Sequence, residues 1–139
     1  TWQPQGEAKQ YAGSQSQAAQ LTDEERASLT RLDQIAMGNI AQCHLQLGEY
    51  RKCRDFCNKI ISEPAGHPNP DLLVKALCRA SQAALESNDL DTSKDLVQRA
   101  LKIDPKHAPA RLTYKKLQEK FKTHNAEQRR QMAAAFDKA

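Results

Sequence analysis

From Leu29 onward the apolar positions of the chain recur three and four residues apart, the spacing that places side chains on one face of an α-helix. Leu29, Leu32, Ile35, Ala36, Ile40, Cys43 and Leu47 make the first such stripe. Thr22 precedes it as an N-cap, Glu25 follows three residues later in the capping-box arrangement, and Asp23 and Glu24 place negative charge where the helix dipole favours it. Gly48 is the expected stop. A short turn at "LGEY" leads into a second helix, "EYRKCRDFCNKII", which the prolines of "SEPAGHPNPD" end. "DLLVKALCRASQAAL" predicts a third helix, "ESNDLD" a turn and "TSKDLVQRALKIDP" a fourth helix. A fifth is expected in "APARLTYKKLQEKF", where Ala110, Tyr114, Leu117 and Phe121 keep the helical period. Residues 1–21, rich in Gln, Ser and Gly, read as a linker or the remnant of a first repeat.

Composition agrees with an all-α chain: 27% of its 139 residues are charged, and it has five glycines and three phenylalanines. No apolar run approaches the roughly 20 residues that a bilayer requires. The net charge of +4 comes mostly from the last third and argues only weakly for an anionic partner. Cys43, Cys53, Cys57 and Cys78 include no C-x-x-C pair, so no metal is expected, and the thiols read as small apolar groups at close helix contacts. Unbridged cysteines and the lack of a membrane span lead to an expected cytoplasmic location, with the nucleus as a second compartment. His44 and His67 stand in no Ser/His/Asp or paired-carboxylate arrangement, so an enzyme is not expected, and no cofactor is implied.

Laying one predicted hairpin over the other exposes an internal repeat. "IAQCHLQLGEYRKCRDFCNKII" aligns with "ASQAALESNDLDTSKDLVQRAL" at a constant offset of 40, pairing Gly48 with Asn88, Tyr50 with Leu90, Cys53 with Ser93, Cys57 with Val97 and Ile60 with Ala100. The "PAGHPNP" segment accommodates the extra residues. With its "LGEY" turn and "ALKIDP" ending, the pattern resembles the tetratricopeptide repeat. The resemblance implies tetratricopeptide-repeat hairpins stacked as a right-handed solenoid over residues 22–105, with a long C-terminal capping and extension helix over 106–139.

In such a solenoid the first helix of each hairpin lines the concave groove. Here those helices offer Asn39, Gln42 and Gln46, then Lys75, Arg79 and Gln82. Arg grips a carboxylate with two parallel N–H groups, Lys supplies a point charge and Asn a neutral donor. Tetratricopeptide domains that bind the acidic, EEVD-type tails of heat-shock proteins 90 and 70 use such residues as a carboxylate clamp. By that resemblance "MGNIAQCHL" puts Asn39 at the second-repeat Asn position, and "VKALCR" puts Lys75 and Arg79 at the third-repeat pair. Gln42 and Gln82 are further groove contacts, and the first-repeat pair would lie before residue 1. "CHLQLGEYRKC" and the basic helix after "KIDP" look most like the large immunophilins, co-chaperones that carry an FKBP-type or cyclophilin-type prolyl isomerase domain, here lacking most of the first repeat.

Further expectations concern partners. Beyond Phe121, Met132 and Phe136 continue the helical period among basic residues, as in a calmodulin target, and calmodulin binding has been suspected in this family region. The stripe from Leu29 to Leu47 is expected to be covered by the N-terminal segment or to drive self-association. The rival to the clamp is a helical scaffold that binds an internal client segment without a carboxylate. Nucleic acid is not expected, because the chain lacks aromatic stacking platforms, and neither is a membrane.

Overall fold

The computed structural model describes residues 20–63 and 68–137, which form five α-helices. These are α1 (Asp23–Gln46), α2 (Tyr50–Ile61), α3 (Pro70–Glu86), α4 (Leu90–Ile103) and α5 (Ala108–Asp137). Residues 1–19, expected as linker or repeat remnant, and 64–67 of the Pro-rich connection lie outside the described residues. No helix among the described residues is long and apolar enough to cross a membrane.

The chain divides into two units, residues 1–33 and 34–139. In the first, α1 begins as its sequence dictates: the Thr22 hydroxyl accepts a hydrogen bond from the Glu25 backbone N–H at 3.1 Å, and three acidic residues fill the first turn. Leu29 and Leu32 are exposed there.

In the second unit the 40-residue offset becomes a backbone identity. Gly48 and Asn88 both have positive φ, 76° and 61°. Around them the same bonds recur: Gly48 N–H to Leu45 O and Glu49 N–H to His44 O in one turn, Asn88 N–H to Leu85 O and Asp89 N–H to Ala84 O in the other. This left-handed residue with its paired bonds is the Schellman ending of a helix, which satisfies carbonyls that would otherwise be orphaned. The chain therefore folds back twice in the same way, giving hairpins α1/α2 and α3/α4.

Small residues set how closely the helices approach. Ala41, Cys53 and Cys57 in the first hairpin, and Ala76, Ala80, Ala83 and Ala100 in the second, are essentially inaccessible to solvent. Ser81 and Ser93 form a reciprocal clasp between α3 and α4, each hydroxyl donating to the other residue's carbonyl at 2.9 Å. No buried hydroxyl there is left without a partner. Larger side chains, Ile60, Leu77, Val97 and Leu117, fill the spaces between the crossings.

The helix α3 is covered by α2, α4 and α5, which explains why it buries eleven residues while α1 buries Gln34, Gly38 and Ala41. The fifth helix closes the stack as its pattern predicted, with Ala110 and Leu117 buried and Tyr114 and Phe121 packed against the core. Lys120 anchors it by donating to the Leu85 carbonyl at 3.2 Å, where the end of α3 carries partial negative charge. Beyond Phe121, α5 is exposed through Asp137.

Candidate functional site

The face of α3 that the outer helices leave open carries Lys75, Arg79 and Gln82, with Cys78 buried between them, at positions three and four apart. Gln42 from α1 faces them on one side, and His107 and Pro109 at the start of α5 on the other. Together these residues line a cleft of about 270 Å³. The chain order of the repeats is thus spread across the floor of one groove, with each hairpin contributing its first helix.

Arg79 is half-buried and fixed. Its Nε donates to Gln42 Oε1 at 3.1 Å and its Nη1 to the Gly38 carbonyl at 3.0 Å. Gln82 lies one turn further along α3 and donates to Thr113 Oγ1 at 3.3 Å, tying the floor of the cleft to α5. Lys75 is exposed, and among the described residues no carboxylate pairs with it. Of the residues expected from sequence, Gln42, Lys75, Arg79 and Gln82 come together here. Asn39 is exposed on α1 and does not line this cleft. Gly38 and His107 are not among the residues expected from sequence.

The electrostatics are one-sided. The lining holds two permanent cations and no carboxylate. Both acceptors that hold the guanidinium are neutral, so hydrogen bonds satisfy Arg79 without cancelling its charge. Burial holds the Cys78 thiol above its usual range, opposed by the Thr113 side chain and less strongly by the Arg79 charge. Cys57 is pushed far above the usual thiol range by its contact with Cys53 and by burial. Such thiols are packing groups, not nucleophiles. The four cysteines are free, and no group of three or more His, Cys, Asp or Glu among the described residues is placed to hold a metal ion. What the arrangement can do is bind an anion along a groove.

Comparison with known proteins agrees with this architecture. Residues 74–107, which comprise most of α3, all of α4 and the turn before α5, match the family model "Tetratricopeptide repeat". A peptidyl-prolyl cis-trans isomerase from Arabidopsis thaliana, PASTICCINO1, is 32% identical over 66 residues, covering 48% of this chain. The match spans only 9% of that relative, which is far longer. Taken with the repeated hairpin geometry, these matches make residues 74–107 a tetratricopeptide repeat within an all-α stack of helical hairpins.

Proposed function

We propose that the groove is a peptide-binding surface of a co-chaperone of the large-immunophilin type, and that it receives the acidic C-terminal tail of heat-shock protein 90 or 70. Tetratricopeptide hairpins are protein-interaction modules with no catalytic apparatus, so the finer question is what this groove selects. The observation that carries the reading is the charge of the cleft: Arg79 and Lys75 face the same space, and no carboxylate there neutralises them. A peptide carboxylate would complete both. In that role Arg79 offers its remaining N–H groups, Lys75 adds a mobile charge, and Gln82 supplies a neutral contact. Asn39 would act from outside the cleft, toward a part of the peptide that continues along α1.

The test is fluorescence anisotropy with a labelled pentapeptide ending in Glu-Glu-Val-Asp, as the free acid and as the carboxamide. The free acid should bind more tightly. Arg79→Ala and Lys75→Ala should each weaken it by about tenfold to a hundredfold, the range for charged hydrogen bonds. Equal binding of acid and amide would overturn the clamp and favour the rival scaffold, which recognises an internal segment.

Calmodulin remains a proposed second partner for the end of α5, where Met132 and Phe136 are exposed among basic residues. Calcium-dependent retention on immobilised calmodulin, lost on Phe136→Glu, would support it.

A further inference from the structure

Of the two cations in the cleft, only Arg79 has its head group held, and the way it is held is informative. A guanidinium has five N–H donors. Two are engaged, Nε by the Gln42 side chain and one on Nη1 by the Gly38 carbonyl, both across the groove on α1. One hydrogen on Nη1 and both on Nη2 stay available. Gly38 and Gln42 are one helical turn apart, so the carbonyl of the first and the amide oxygen of the second are offered on the same face.

Gly38 does more than supply a carbonyl. A Cβ built at this position would lie 2.9 Å from Arg79 Nη1 and 3.9 Å from Ile60 Cδ1. The guanidinium therefore occupies the space that any other residue would fill. A glycine in mid-helix weakens the helix relative to alanine, and no turn requires one here, because α1 continues to Gln46.

We infer that Gln42 and Gly38 are positioning residues of the anion site, a neutral cradle that fixes the guanidinium of Arg79 without cancelling its charge. The inference rests on the anion-binding reading of the cleft and adds to it the means by which the cleft is kept ready. A free arginine side chain would lose rotamer freedom on gripping a carboxylate, and fixing it beforehand removes that cost from binding. A Glu at position 42 would hold Arg79 equally well but would occupy it as a competing anion. The amide fixes it and leaves the charge for the ligand.

Two variants separate positioning from packing, because each should leave the fold at least as stable while impairing the site. Gln42→Glu keeps an acceptor in place and adds an ion pair with Arg79. Gly38→Ala improves the helix but forces the guanidinium aside, a movement that a flexible side chain makes without disturbing the backbone. The unfolding midpoint should hold or rise in both. Affinity for the free-acid pentapeptide should fall by about tenfold or more with Gln42→Glu and about fivefold with Gly38→Ala, with a smaller fall for the carboxamide. The acid-over-amide preference is thus the readout. If the unaltered protein shows no such preference, the anion reading of the cleft itself fails. If it shows the preference and both variants keep it, the cradle alone is overturned. Parallel losses in acid binding, amide binding and unfolding midpoint would assign both residues to packing and also overturn it.

Discussion

The two hairpins share a backbone plan but not the chemistry at their crossings. Residues forty apart make the same turn bonds and the same left-handed step, at Gly48 and at Asn88. Where α3 crosses α4, however, Ser81 and Ser93 exchange two hydrogen bonds. The corresponding residues of the first hairpin are Ala41 and Cys53, also fully buried, and there the Cys53 thiol approaches the Arg79 carbonyl of the next hairpin at 3.9 Å. The crossing needs small side chains in both places. Whether the small side chain is polar is secondary, provided each hydroxyl finds a partner. The difference also separates tasks: the second crossing closes on itself, whereas the first looks toward α3 and the residue that carries the groove's charge.

The largest effect should come from the depth of burial on the two first helices. Leu77 is 1% exposed in the centre of α3, and its equivalent forty residues earlier, Met37, is only partly buried. Leu77→Ala should cost about 3 kcal/mol, within the range for a buried leucine, and Met37→Ala about 1 kcal/mol, because its site can collapse or admit solvent. Chemical denaturation of both variants would check this. Equal losses would mean that the first hairpin is as tightly enclosed as the second.

An intermediate effect is expected from moving the serine clasp. Cys53→Ser alone buries a hydroxyl without the second hydroxyl that Ser93 has beside it in Ser81 at 3.0 Å, and Ala41→Ser alone buries one opposite a thiol. Each should cost about 1–2 kcal/mol. The double variant recreates the pair found at Ser81 and Ser93, so its loss should be smaller than the sum, with a coupling of about 1 kcal/mol in a double-mutant cycle. Strict additivity would show that the two crossings differ in spacing as well as in side chains.

Much of this was legible in the sequence, and the parts that were not have a common cause. The N-cap at Thr22, the stop at Gly48, the forty-residue offset and the packing of α5 through Ala110 and Leu117 all depend on local rules that residue types state directly. The packed face of α1 did not follow from hydrophobicity. The apolar stripe includes Ile40 and Leu47, which are 41% and 71% exposed, whereas the buried residues are Gln34, Gly38 and Ala41. Close approach at Gly38 and Ala41 selects small residues, and a scale that rewards large apolar ones points to the opposite face. The glycine in "MGNIAQ" was the available signal: a helical glycine away from any turn implies that something occupies the space of its side chain. The pairing of Lys75 with Arg79 on one face was readable from spacing. The cradle that holds Arg79 was not, because it depends on which turn of α1 lies opposite.

The smallest effects should separate the two turns, which adopt one conformation with different residues. A residue other than glycine in the left-handed region brings its Cβ against the backbone, at a cost of roughly 1–2 kcal/mol, and asparagine bears it better than most. Gly48 has φ of 76°, and a Cβ added there would meet nothing closer than the Tyr50 hydroxyl at 4.0 Å. The penalty for Gly48→Ala is therefore purely conformational, about 1 kcal/mol. Gly48→Asn should lose only about 0.5 kcal/mol, since the other hairpin already uses asparagine at this step. In the reverse direction Asn88→Gly relieves the strain at φ of 61° but gives the unfolded chain more freedom to lose. These terms oppose each other, and the net change should stay within about 0.5 kcal/mol of zero. Thermal unfolding of the three variants reads the order directly. If Asn88→Gly were instead as damaging as Gly48→Ala, the asparagine side chain would be making a contribution that the shared backbone bonds do not contain, and the two turns would be equivalent in shape alone.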